Sequence, residues 1–179
     1  NSKNKFTLTI LREFLKLNIG VKAYISVDQG YKYNLYLFKT VLKNIGFYGT
    51  VISTFIRFKN QMLQQSFKSL EKQIDFKSNN IEKLRVKGAN SLQMQNLLES
   101  LQVDLLVLGN TGIIKNNILT VPSIGTLNTH PGILPQYKGL DSIYWASYHK
   151  EFENIGVTVH FVDEGIDTGN IISKTYVNF

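Results

Sequence analysis

The stretch VDLLVLG (103–109) constrains the fold more than any other segment. Its apolar run is continuous, whereas a strand with one wet face alternates polar and apolar residues. Such a run is expected of a parallel strand covered on both faces. Around it the chain switches between two periods. Phe6, Leu8, Ile10, Leu11, Phe14, Leu15 and Leu17 recur at helical spacing, which predicts a first helix that Gly20 stops. VKAYISV (21–27) reads as a buried strand that turns at Asp28-Gln29-Gly30. Residues 33–44 and 51–75 read as two helices, 72–80 as a loop and 82–88 as a short strand. Ser91 is expected to cap a helix through 91–101. Strands follow at 124–130, 157–162 and 171–177, with a short helix at 142–148. Alternating strands and helices predict an α/β fold, a mostly parallel twisted sheet with helices on both faces. A chain of 179 residues, 43% hydrophobic, can bury one core, so residues 1–179 read as a single domain.

Composition excludes several classes. There are no cysteines, so no disulfide framework, zinc-thiolate site or thiol nucleophile is available. No apolar run approaches the ~18–20 residues of a membrane span, and NSKNKFTLTI has no signal-peptide core. A cytoplasmic location is the expectation. The chain begins with Asn, which reads as the loss of its natural start, with the C-terminus a second candidate for truncation. The net charge of +7 is uneven. Residues 1–101 carry 16 Lys/Arg against 6 Asp/Glu, and residues 102–179 carry 4 against 7. A basic half suits an anionic partner, such as a phosphorylated or polyglutamylated small molecule or RNA. A genome that writes Lys and Asn at surface positions produces the same excess.

All three prolines and all three histidines lie after residue 109. Loops that carry function are built from such residues, and open α/β sheets place sites beyond the carboxyl ends of strands. The loops after Leu108, Leu127 and Val162 are therefore the candidates. Asn128 and His130 are two apart in a predicted strand, so both point to one side. Pro131 restricts His130 to extended geometry. If 124–128 and 157–162 are neighbouring strands, a carboxylate among Asp163, Glu164 and Asp167 can reach His130. A carboxylate there favours the charged ring and fixes its tautomer. Asn, His and Asp suit acyl transfer to an amine: donors for an oxyanion and a base for the ammonium protons. Nothing in this set requires a metal. On spacing alone the bland readings stay open: His130 and Asn128 as turn residues, Asp167 as an Asx-turn, Tyr137 and Lys138 as loop surface. His160, inside a strand, reads as packed and hydrogen-bonded.

At these residues the chain resembles the folate-dependent formyltransferase family. That family includes glycinamide ribonucleotide, methionyl-tRNA and amino-sugar N-formyltransferases. The matching text is NTHPGILPQYKG (128–139), then GVTVHFVDEGIDTGNII (156–172). The resemblance covers about 103–175 closely. It implies a formyltransferase-like, Rossmann-type catalytic domain with 10-formyltetrahydrofolate as donor. The family's catalytic Asn, His and Asp fall on Asn128, His130 and Asp167. Asn128 and protonated His130 would stabilise the oxyanion, while Asp167 favours the charged ring and helps relay the amine's proton. The pterin would sit against Leu108, Gly109 and Ile114 and against Asp163, Glu164 and Gly165. The acceptor is expected to be a small amine, phosphorylated or nucleotide-linked. Trp145 points first to an amino-sugar nucleotide, or else to helix packing. Glycinamide ribonucleotide is the second acceptor and methionyl-tRNA the third, so nucleic acid is not the expected partner. A formyltetrahydrofolate hydrolase and a non-catalytic folate- or nucleotide-binding domain are the rival classes.

Overall fold

The computed structural model describes residues 5–28, 74–109 and 111–177, which fall into two compact units, Asn1–Ser91 and Leu92–Phe179. The helices expected at 33–44 and 51–75 lie outside the described residues, apart from residues 74 and 75, which are not helical.

In the first unit, α1 (Lys5–Lys16) and the parallel strands β1 (Ala23–Asp28) and β2 (Glu82–Lys87) enclose a small core. Leu8, Leu11, Tyr24, Ile74 and Ile81 are buried there, with Leu15, Val21 and Phe76 packed against them. Positions 8, 11 and 15 lie on one helical face, as the periodicity predicts. The helix ends earlier than Gly20. Asn18 takes the left-handed conformation (φ 55°). Ile19 N–H then donates to Phe14 O and Asn18 N–H to Leu15 O, which closes the last turn as a Schellman motif.

In the second unit, β3 (Leu105–Val107), β4 (Gly125–His130), β5 (Gly156–Phe161) and β6 (Ile171–Tyr176) form a sheet in that order. β3 pairs with β4 in parallel, whereas β4–β5 and β5–β6 are antiparallel. Parallel neighbours need a crossover of about a dozen residues. The short 162–170 connection, which holds no helix, leaves β6 only the antiparallel option. β3 is shorter than 103–109 implies, and Leu105 is 39% exposed. Among the described residues β3 has a partner on one side only, at the end of its sheet. The helices are α2 (Leu92–Ser100), α3 (Asn116–Leu119) and α4 (Ser142–Tyr148), followed by a 3-10 turn at Phe152–Asn154. Leu98, Ile118, Ile133, Leu134 and Ala146 are its most deeply buried apolar residues. Ser91 directly precedes α2, and its hydroxyl donates to Gly88 O at 2.9 Å.

Candidate active site

The register between β4 and β5 builds the site. Asn128 lies opposite His160 and His130 opposite Thr158. Register partners and their i+2 neighbours share a sheet face, so all four side chains stand together. The β6 register shifts between Val159 and His160, so a bulge falls beside this cluster. β5 ends opposite Leu127, level with the middle of β4 rather than with His130. The 163–170 loop therefore has to turn back to bring Asp167 to His130. It does so with Asp167 itself in the left-handed region (φ 50°). Gly169 packs so tightly on the Phe161 carbonyl that no side chain would fit there.

The three residues singled out for catalysis converge. His130 is 3% exposed. Its Nε2–H donates to Tyr137 O at 2.7 Å, which assigns the proton on that nitrogen. Ser142 Oγ lies 3.0 Å from the same nitrogen and donates to Gly139 O. His130 Nδ1 faces Asp167 Oδ2 at 3.3 Å. Oxygen acceptors on both ring nitrogens satisfy both donors of the imidazolium. The Asp167 contact is longer than the ~2.7–2.9 Å of a tight charge-assisted bond, so Nε2 is the anchored nitrogen and Nδ1 the looser one. Asp167 Oδ2 also accepts from Gly139 N–H at 2.8 Å, which ties the two loops together.

His160 joins the cluster and was not among the residues expected to act there. It is 2% exposed. Its Nδ1–H donates to Phe161 O at 2.7 Å, which makes Nε2 an acceptor. Asn128 Nδ2 lies 3.3 Å from that nitrogen. Asp167 Oδ1 lies 3.5 Å from it. The two contacts imply different protonation of Nε2. An unprotonated Nε2 accepts from Asn128 at 3.3 Å, whereas a proton on it would point to Asp167, whose 3.5 Å approach is the longer of the two contacts. His160 thus orients the Asn128 carboxamide. The signal for this was present in the sequence: Thr158 and His160 have the same i, i+2 spacing as Asn128 and His130.

The loop after β4 is held by buried polar bonds. Thr158 Oγ1 donates to Gly132 O at 2.7 Å and accepts from Leu134 N–H at 3.1 Å. Gly132 is required: a Cβ there would lie 2.6 Å from Ser142 Cβ and 3.0 Å from His130 Nε2.

Two of the segments expected to contact the pterin, at Leu108–Gly109 and Asp163–Gly165, flank β4. Leu108 N–H donates to Leu127 O on one side, and Val162 N–H donates to Thr126 O on the other. Leu108–Gly109 and Asp163–Gly165 thus follow segments tied to both edges of β4 just before Asn128. Leu108 and Ile114 are buried, and Asp163, Glu164 and Gly165 are exposed. Asp163 Oδ1 is turned into its own loop, accepting from Gly165 N–H and Thr168 Oγ1. Trp145 is 47% exposed, and its ring lies beside those of Tyr144, Tyr148 and His149. Tyr137 is buried beneath α4 against Ala146 and Ile155, not loop surface.

Residues 38–179 match the profile of the formyl transferase family. A methionyl-tRNA formyltransferase of Clostridioides difficile is 38% identical over 101 residues, 56% of this chain and 32% of the relative. One from Methylacidiphilum infernorum is 42% identical over 88 residues, 49% of this chain and 26% of the relative. A solved glycinamide ribonucleotide transformylase from Symbiobacterium toebii is 29% identical, with a TM-score of 0.49 over 56% of this chain and 50% of that one. The matched part of this chain spans about a third or less of the length of these curated relatives. With the profile covering most of the sequence and including Asn128, His130 and Asp167, the chain belongs to the formyl transferase family.

Proposed function

We propose that this chain forms the catalytic domain of an enzyme that transfers a formyl group from 10-formyltetrahydrofolate to an amine. The observation that carries this reading is the convergence of Asn128, His130 and Asp167 at one end of β4. The donor set fits a formyl carrier. One carboxamide N–H of Asn128 is spent on His160, and the second is left for an oxyanion. His130 is anchored through Nε2, so the looser Nδ1 is the nitrogen that works. When bound, the folate supplies the activated formyl carbon. Around it, the second Asn128 N–H and the positive charge of a protonated His130, held between Asp167 and the Tyr137 carbonyl, would stabilise developing negative charge, and Asp167 would accept a proton released by the attacking amine. The flanking segments at Leu108–Gly109, Ile114 and Asp163–Gly165 are where the pterin would be held.

For the acceptor we favour the amino group of an aminoacylated tRNA, ahead of the small amine expected first. The support is that methionyl-tRNA formyltransferases match this chain at 36–42% identity. The chain's net charge of +7 suits a polyanion. An amino-sugar nucleotide is the second reading, because Trp145 lies exposed on the helix whose first residue touches His130.

Two measurements test this. A stable donor mimic, 5-formyltetrahydrofolate, at ~100 times its dissociation constant should stabilise the chain by ~2.7 kcal/mol. A melting temperature that does not respond would remove the folate site from this chain. Formyl transfer is then assayed with methionyl-tRNA, glycinamide ribonucleotide and amino-sugar nucleotides in parallel. Turnover with a small amine alone overturns the tRNA reading. Formate release without any amine identifies a hydrolase.

A further inference from the structure

Tyr137 connects the buried histidine to a polar cluster beyond α4. Its backbone carbonyl accepts from His130 Nε2. Its phenol, at the other end of the same buried residue, donates to Glu151 Oε2 at 2.8 Å. His149 Nδ1 lies 3.0 Å from the phenol oxygen. The single phenolic proton goes to Glu151, so His149 must be the donor in that contact. Asn154 Nδ2 donates to the same Glu151 oxygen at 3.0 Å. Glu151 N–H bonds back to Ala146 O, so the backbone that carries the carboxylate is tied to the end of α4. The start of α4 is fixed as well, through Ser142 Oγ at His130 Nε2. The helix is thus held to the His130 ring at its first residue directly, and beyond its last residue through Tyr137.

We propose that Tyr137 is a positioning residue for His130, its phenol being gripped by Glu151 and His149 so that its carbonyl stays on Nε2 and Nδ1 stays on Asp167. The proposal rests on the formyl-transfer reading for its kinetic consequence only. The charged and titratable groups that face His130 are Asp167, from the β5–β6 loop, and the His160 ring on β5, centroids 6.4 Å apart. Those in contact with the phenol are Glu151 and His149, with the charge of Glu153 acting from further off. A purely structural role would lower stability when the phenol is removed and leave the His130 ring alone. A positioning role would release Nε2 and alter how that ring binds protons.

The experiment compares wild type, Tyr137→Phe, Glu151→Gln and Glu151→Ala, using the full chain. The ring nitrogens of His130 are followed by 15N NMR through a pH titration, and steady-state kinetics are measured beside it. The proposal expects Tyr137→Phe to shift the His130 nitrogen signals and their titration. It also expects kcat to fall about ten-fold with the donor KM within about two-fold, as misplacement of an acting group does. Glu151→Ala should reproduce both effects, and Glu151→Gln, which keeps a hydrogen-bond acceptor, should restore much of the loss. Unchanged His130 signals in Tyr137→Phe overturn the proposal whatever happens to stability or rate. If Tyr137→Phe does not fold, the Glu151 pair decides by the same signals. A wild type that transfers no formyl group to any amine would sink the functional reading, while the NMR comparison would still decide the positioning role.

Discussion

Asp167 carries more than one task. Its carboxylate faces His130 Nδ1, approaches His160 and accepts from Gly139 N–H. Asp167→Asn keeps an oxygen for Gly139 but removes the charge opposite Nδ1. A loss of general acid–base help is worth about 100- to 10,000-fold. We therefore expect kcat to fall at least about 100-fold while the chain still binds the donor mimic, measured by turnover and thermal shift on one sample. A fall in kcat of only a few-fold would remove Asp167 from the chemistry. Gly132 makes a different kind of demand. A methyl group there meets Ser142 Cβ at 2.6 Å, a distance that such atoms do not adopt, and crowds His130 Nε2 at 3.0 Å and the Tyr137 carbonyl at 3.1 Å. Overpacking costs about 1–3 kcal/mol. Gly132→Ala should lower stability by that amount in urea unfolding and displace His130, so that activity falls further than stability alone explains.

At the scale of elements, helices close without glycine. Asn18, Gln102 and Lys150 all take positive φ, at 55°, 46° and 62°. Each is followed by an N–H that reaches back five residues, Ile19 to Phe14, Val103 to Leu98 and Glu151 to Ala146. Left-handed geometry costs a side-chain-bearing residue about 1–2 kcal/mol, and glycine avoids it. Lys150→Gly should raise unfolding free energy by up to about 1 kcal/mol, and a decrease would mean that the lysine side chain contributes more than its backbone costs. The loop after β4 depends on a single hydroxyl. Thr158→Val preserves shape but strands the Gly132 carbonyl and the Leu134 amide in a buried place. Each unsatisfied group costs about 1–3 kcal/mol, so this small change should rank among the most destabilising in the sheet. A chemical-denaturation midpoint equal to wild type would contradict it.

At the scale of the whole molecule and among its described residues, burial shapes the titration of Tyr137. Desolvation first, and then the Glu151 carboxylate, hold the Tyr137 phenol above its ordinary value of 10.0. The folded state therefore keeps this proton longer than the unfolded chain. Its contribution to stability is fully present below pH about 10 and is lost as pH rises through the folded value. Tyr137→Phe should narrow its stability gap to wild type above that pH, measured by urea unfolding at neutral and alkaline pH. A constant gap would mean that the phenol ionises as freely folded as unfolded. Much of the architecture was legible beforehand. The spacing of Leu8, Leu11 and Leu15 marks a helix face, and the strands at 124–130, 157–162 and 171–177 appear within a residue or so of their observed ends, because period and turn chemistry are local properties. Asn128 and His130 were legible for the same reason, since adjacent alternate positions of a strand need no tertiary knowledge. Three matters were decided only in the folded chain. The antiparallel pairing sets Asn128 opposite His160. The fold-back of 163–170 selects Asp167, not Asp163 or Glu164, for His130. The burial of Tyr137 under α4 turns an apparent surface tyrosine into a support for the ring. Each depends on contacts between residues far apart in sequence, and local residue patterns do not encode strand register or the path of a loop across a sheet.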